Sequence, residues 1–274
     1  MNVVLAPNDF LCVHDIKTTL LCKNPLISNT PHTFDVTYTM YFNESYVRSG
    51  WRWYDKQMSN MKRSILSVRN VGFNGTIHVL LGGEQRSNTL LSLQRMNVNI
   101  TFLNHLCLPP PIWSSMFYLA TFQKTCALAF SAQNKNRILH LDNDILAFKS
   151  LDEFYWISST PAFVVKPREG INTGVMLLKE TQKSASDKMS WYHSIKDKQG
   201  NGGDQDLVNN YHKKHNFTEL PAKFNIYSYD MNPNHSKWWE EIVLWHKPGE
   251  KWGRAYSKEA NQYLKNQSKH LIND

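Results

Sequence analysis

Between Phe34 and Leu103 the chain changes its apolar period four times, and this alternation restricts the possible folds more than any other feature. "FDVTYTMYF", Phe34 to Phe42, alternates and is rich in β-branched and aromatic residues, which predicts a strand ending at Asn43. From Trp51 to Val68 the apolar residues Trp51, Tyr54, Met58, Met61, Ile65 and Val68 recur at intervals of three and four, a helical spacing. "GTIHVLLGG", Gly75 to Gly83, is a short apolar run between glycines, as expected of a strand buried on both faces of a parallel sheet. Thr89 to Met96 reads as a helix and "VNITFL", Val98 to Leu103, as another strand. Strand, helix, strand, helix, strand is the pattern of an α/β sheet joined by crossovers.

Pro109 to Pro111 break the chain, after which Ser114 can cap a helix running to about Ser131. In "RILHLDNDILAFKSLDEFY" the run Ile138 to Leu141 predicts a buried strand with Asp142 and Asp144 at its carboxyl end, and "SLDEFY" a short capped turn. Ligands of open α/β sheets gather at the carboxyl ends of strands, so the two acids fall at the ligand edge. "PAFVVKP" and "INTGVMLLK" add two strand candidates, and "GGDQDLVNNYHKKH" becomes helical from about Asp206. From Pro221 onward the sequence is aromatic and irregular, with Trp238, Trp239, Trp245 and Trp252. The expected organisation is one domain over residues 34–274, preceded by an extension over residues 1–33.

A surplus of 31 basic over 23 acidic residues gives a net charge of +8, which attracts phosphate-bearing partners. The cations are scattered and the densest knot is "YHKKH", so no nucleic-acid-binding stripe is expected. Cys12, Cys22, Cys107 and Cys126 lack zinc-site spacing and are too few for a disulfide framework, so reduced thiols are expected. No segment has the run of apolar residues that spans a bilayer, and the N-terminus lacks a basic leader pattern. A soluble cytoplasmic protein is the simplest expectation, with a fragment of a lumenal ectodomain as the alternative. Six Asn-x-Ser/Thr triplets begin at Asn43, Asn74, Asn99, Asn216, Asn234 and Asn266; an Asn-rich chain yields several by chance, and they matter only in the lumenal case.

Residues one and three of "DND" point to the same side of an extended chain, so Asp142 and Asp144 can face one ion. A hard divalent cation takes such oxygen ligands, and manganese or magnesium keeps positions open for substrate phosphates. The plain alternative is that one acid caps the following turn and the other is solvated. Three more segments bear on the choice: "NTG" at Asn172 to Gly174 leading into "VMLLK", "GGDQD" at Gly202 to Asp206, and "WHKPGEKW" at Trp245 to Trp252.

Taken in order with the D-x-D, these segments resemble the donor-site signatures of retaining glycosyltransferases with the GT-A fold, a nucleotide-sugar transferase fold with a single Rossmann-like mixed sheet flanked by helices. The likeness spans about residues 35–255 and is strongest to family 8, the glycogenin-like group. Asn-Thr-Gly followed by Trp191 also resembles family 34. The resemblance implies Asp142, Asp144 and His246 as metal ligands and Asn143 beside the nucleotide ribose. "YFNESY" matches a nucleotide contact in Asn43 and Tyr46, and Lys124 resembles a lysine that touches the donor, at a spacing about two residues longer than the family's. Asn172 would bond the donor sugar or line its pocket, while Asp204 and Gln205 would contact sugar hydroxyls near the reacting carbon. His246 and Gly249 keep the spacing of the last motif, but Lys251, the implied diphosphate contact, falls one place early and no Pro precedes Trp252.

The implied activity is metal-dependent transfer, with retention, from a nucleotide-diphosphate sugar, usually UDP-linked, to a hydroxyl of a glycan or glycoprotein. The implied cofactor is manganese or magnesium. Gln205 would stabilise the developing cation, and Asp204 is the better candidate for a covalent intermediate. Each residue has a plainer role beside it: Asp204 as a helix cap, Asn172 as a turn residue, Lys124 as an exposed helix lysine, and Trp238 and Trp239 as core. A non-catalytic sugar- or nucleotide-binding module on the same fold and a metal-dependent phosphohydrolase are the competing classes.

Overall fold

The computed structural model describes residues 11–13, 19–21, 30–44, 50–103, 107, 121–166, 169–195, 203–227, 236, 239–246, 262–264, 266, 267 and 269. Within the N-terminal extension, β1 (Leu11–Val13) and β2 (Thr19–Leu21) pair antiparallel. The alternating region follows as β3 (Phe34–Phe42), α1 (Trp51–Asn70), β4 (Ile77–Gly83), α2 (Ser87–Gln94) and β5 (Asn99–Leu103), each close to its expected span. Next come α3 (Thr125–Gln133), β6 (Arg137–Leu141), β7 (Ile145–Ala147), a 3-10 helix over Asp152–Trp156, β8 (Ala162–Lys166) and β9 (Gly170–Leu178). The described residues end with α4 (Gln182–Ile195), α5 (Asp204–His212), β10 (Thr218–Leu220), β11 (Ile226–Tyr227), β12 (Leu244–His246) and part of a C-terminal helix. Ser114, the expected cap ahead of α3, lies outside the described residues.

Seven strands form the main sheet in the order β10-β8-β9-β6-β3-β4-β5. β3, β4, β5 and β6 run parallel, while β9 lies antiparallel between β6 and β8. The central strands are buried along almost their whole length because both faces are covered. Along β6 and β9, Leu139, Leu141, Val175 and Leu177 enter one core cluster with the buried face of α1. Their neighbours Ile138, Met176 and Leu178 enter a second cluster with Ala127, Leu128, Tyr192 and Leu207 from α3, α4 and α5. The α/β sheet expected from the period changes is therefore present, mixed in strand sense as the resemblance implies, with helices on both faces.

The stretch from Pro221 is more regular than its composition suggests. Among the described residues it contributes β11 and β12, which join β7 in a second sheet of order β11-β12-β7. These strands are two or three residues long, too short to leave a periodic signal. Trp239 and Trp245 pack there with Leu146 and Leu264, so Trp239 is core; Trp238 lies outside the described residues. The short turn expected at "SLDEFY" is present as the 3-10 helix, but its cap position is Leu151, which offers no side-chain cap; Ser150 Oγ, one residue earlier, accepts from the backbone N–H of Asp152 at 3.2 Å.

The expectation of reduced thiols is wrong for two of the four cysteines. Cys107 and Cys126 are joined by a disulfide with a Cα–Cα distance of 5.1 Å. A separation of 19 residues carries no pairing signature in sequence, and only the tertiary approach of the two segments reveals it. Closing a loop of this size stabilises the fold by about 3 kcal/mol on the chain-entropy account. It also anchors α3 at its first turn, two residues from Lys124.

Candidate donor and metal site

Strand register brings four distant segments to one point. β9 runs antiparallel to β6 with Val175 opposite Leu141, so Asn172 to Gly174 lie just beyond the end of β6. The ladder continues one step further, with the Asp142 N–H donating to the Gly174 carbonyl at 2.9 Å. After the Asp-Asn-Asp turn the chain enters β7, and β12 pairs with it so that His246 stands opposite Ile145, next to Asp144. β11 runs beside β12 and sets Tyr227 opposite His246. α5 starts at Asp204 and points its first turn at the same place.

Asp142, Asp144 and His246 each offer one ligand atom, and these atoms lie within 4.8 Å of one another. His246 Nε2 is 3.3 Å from Asp144 Oδ1 and 3.8 Å from Asp142 Oδ2. Neither acid is freely solvated, since the side chain of Asp142 is 16% exposed and that of Asp144 27%. On the other side of Asp142, Lys124 Nζ donates to its Oδ2 at 2.8 Å and lies 3.4 Å from Asp204 Oδ2. Burial alone would lower the Lys124 pKa, but Asp142 and Asp204 outweigh it and hold the ammonium above the ordinary lysine value. Burial likewise opposes the charge on Asp142, and the Lys124 ammonium overcomes it and holds this carboxyl below the usual range.

The hydrogen-bond polarity of the site can be followed from a fixed donor. The backbone N–H of Gly174 donates to Asn172 Oδ1 at 2.9 Å, which fixes that amide. Asn225 Nδ2 then donates to the same oxygen at 2.7 Å, and so Asn225 Oδ1 faces His246 Nδ1 at 3.0 Å. His246 must carry its proton on Nδ1, and the Nε2 lone pair points at two carboxylates. Three acceptors facing one another repel unless a cation or an added proton stands between them. Among the described residues the immediate cluster holds three carboxylates, Asp142, Asp144 and Asp204, against the ammonium of Lys124. This donor set fits a divalent cation.

Each residue of the Asn-Thr-Gly motif serves a different partner. Asn172 Nδ2 reaches Gln205 Oε1 at 3.0 Å, Tyr227 Oη at 2.6 Å and Glu169 Oε2 at 3.2 Å. Thr173 Oγ donates to Asp204 Oδ2 at 2.5 Å. Gly174 leaves room for the histidine ring, because a Cβ there would stand 2.5 Å from His246 Cε1 and 2.7 Å from its Nδ1. Gly174→Ala is therefore expected to displace the ring and weaken manganese binding at least 10-fold, an effect that titration calorimetry would read. Unchanged affinity would mean that the ring position does not matter.

Lys124 is not an exposed helix lysine, and Asp204 is not a cap. The cap position of α5 is Gly203, the helix starts two residues before the expected Asp206, and the Asp204 carboxylate is 6% exposed between Thr173 and Lys124. Asn143 lies in the turn between the acids, its Oδ1 buried without a hydrogen-bond partner. Asn43 follows β3 at the same carboxyl edge and is half-buried. Tyr46, Gly249 and Lys251 lie outside the described residues. Asn225 and Tyr227 take part in the site but carry no motif signal of their own in the sequence. His140 is a third such residue, buried beneath Asp142 with its Nε2 3.8 Å from Oδ1, and burial lowers its pKa.

The chain matches no protein-family model and no curated protein. Solved structures do resemble it. Two structures of the glycosyltransferase GlyE from Streptococcus pneumoniae TIGR4, one of them the apo form, superpose with a TM-score of 0.56 at 15% and 13% identity. They are matched over 90% and 88% of this chain, which spans only 61% and 62% of theirs. An active-site mutant of LgtC gives a TM-score of 0.52 at 15% identity, over 88% of this chain and 97% of the other. The site described above thus sits on a fold of the GT-A type, shared with the glycosyltransferase GlyE.

Proposed function

We propose that the chain is a metal-dependent, retaining glycosyltransferase that moves a sugar from a UDP-linked donor to a hydroxyl of a glycan or glycoprotein. The observation that carries this reading is the convergence of one ligand atom each from Asp142, Asp144 and His246 at the ligand edge of a fold shared with a known glycosyltransferase. Two carboxylates and an imidazole suit manganese, with magnesium as second choice. A divalent cation held there supplies Lewis-acid neutralisation of a departing diphosphate.

The chain's own residues supply the rest. Lys124 places a fixed positive charge beside the acids. Asn143, in the turn between the two acids, stands beside the nucleotide ribose in this reading. Gln205, oriented through Oε1 by Asn172, can offer its Nε2 hydrogens to a sugar hydroxyl. Asp204, engaged by Thr173 and Lys124, acts as a positioning residue and not as a nucleophile. The acceptor hydroxyl then attacks the anomeric carbon from the leaving-group face and gives its proton to a diphosphate oxygen, which retains configuration. Asn43, Tyr46, Gly249 and Lys251 complete the nucleotide contacts in this reading, and residues 34–274 form the catalytic domain. The Cys107–Cys126 disulfide favours an oxidising lumen over the cytoplasm.

A thermal-shift screen of nucleotide sugars, with manganese and with chelator, tests the proposal. UDP-sugars at about 100 times their Kd should stabilise the fold by about 2.7 kcal/mol, and only with metal present. Stabilisation that survives chelation contradicts the metal role. Proton NMR of the product linkage decides stereochemistry, an inverted anomer removing the retaining assignment. A chain that binds donor yet never hydrolyses it, with or without acceptor, is the binding module.

A further inference from the structure

Three Asn-x-Ser/Thr triplets fall at the starts of strands. Asn74 precedes β4, Asn99 is the first residue of β5, and Asn216 precedes β10. β4 and β5 run parallel to β3 and β6. β10 runs parallel to β8, and β8 is antiparallel to β9, which is antiparallel to β6, so β10 has the same sense. All three asparagines therefore lie at the amino edge of the main sheet, whereas Asp142 and Asp144 lie at its carboxyl edge. All three are also exposed, and Asn74 and Asn216 are in irregular segments. Asn43 is different: it sits at the carboxyl edge and is half-buried. Asn234 lies outside the described residues, and the Asn266 amide accepts from Gln262 within a helix.

A second observation is independent of these positions. The Cys107–Cys126 disulfide belongs to a compartment with an oxidising poise, which in cells with a secretory pathway is the one where Asn-x-Ser/Thr triplets are modified. We infer that Asn74, Asn99 and Asn216 are N-glycosylation sites that clothe the edge of the sheet opposite the donor site. In the transfer, the Asn Nδ2 attacks the anomeric carbon of a polyprenyl-diphosphate-linked oligosaccharide. A C–N bond forms, the C–O bond to the diphosphate breaks, the amide gives up one proton, and the polyprenyl diphosphate leaves. Glycans placed there leave the acid–histidine cluster open. The one on Asn99 also stands on the end strand of the sheet, where a bulky hydrated group hinders edge-to-edge pairing.

The test is to secrete the full chain from cultured animal cells, release N-glycans enzymatically in heavy-oxygen water, and map the labelled aspartates by peptide mass spectrometry. The expected result is label at two or more of Asn74, Asn99 and Asn216, none at Asn43, and loss of one gel-mobility step in each of N74Q, N99Q and N216Q. Label at fewer than two of the three in material that has formed the Cys107–Cys126 bond overturns the inference, as does label at Asn43. The occupancy map is read on the unsubstituted chain, so failure of a variant to fold does not affect the outcome. Because no donor or metal enters the measurement, its result stands apart from that of the transferase reading.

Discussion

Asp142→Asn combined with Asp144→Asn is expected to lower sugar transfer by about 10³-fold or more. The proposed cation stabilises a departing diphosphate by several kcal/mol, and each ~1.4 kcal/mol is a factor of ten in rate. The single variants should differ in a way that activity alone cannot show. Asp144 faces another carboxylate and the His246 lone pair, so Asp144→Asn removes repulsion and should leave the metal-free thermal midpoint unchanged or raised. Asp142 is the 2.8 Å partner of the partly buried Lys124. Its replacement leaves that ammonium with Asp204 alone at 3.4 Å and should cost about 2 kcal/mol, below the ~3–5 kcal/mol of a fully orphaned buried charge. Both should lose the manganese-induced rise in melting temperature. Metal-independent transfer by the double variant, or an unaltered manganese shift, would remove the acids from the site's chemistry.

Much of this arrangement was legible before any geometry, and the part that was not has a physical reason. The period changes between Phe34 and Leu103 reach the structure nearly residue for residue, because each element there is long enough to show its own repeat. Asp142, Asp144 and His246 could be named from motif order alone. Asn225 could not, because it sits between a three-residue 3-10 helix and a two-residue strand, in a stretch too short to carry any period. The disulfide was hidden for a related reason: a separation of 19 residues does not distinguish a pair from two free thiols. Asp204 shows a third kind of limit. A position at the start of a helix predicts a cap, whereas its contacts with Thr173 and Lys124 depend on where β9 and α3 happen to lie.

The Asn225 amide is the place where orientation of the site can be separated from its folding. Asn225 is fully buried, accepts from His246 Nδ1 and donates to Asn172 Oδ1. Asn225→Ala removes both bonds, so the imidazole loses the acceptor that keeps its Nε2 lone pair on the acids. Manganese affinity should fall about 10- to 100-fold, the usual cost of deleting a partner that orients a metal-binding histidine. Stability should fall by about 1–3 kcal/mol for the buried groups left unpaired. Asn225→Asp keeps an acceptor for Nδ1 but sets a carboxylate oxygen against Asn172 Oδ1, so it should lose stability while holding manganese within a few-fold of the parent. In a transfer assay the alanine variant should recover its kcat when manganese is raised in proportion to the lost affinity, and the Asp142/Asp144 double variant should not. A merely structural amide predicts the reverse ordering, with both Asn225 variants losing metal only as far as they lose fold. Calorimetric manganese titration beside thermal melts of the two variants distinguishes these cases, since orientation ties affinity to the Nδ1 acceptor that only the alanine variant loses, whereas packing makes affinity follow stability in both.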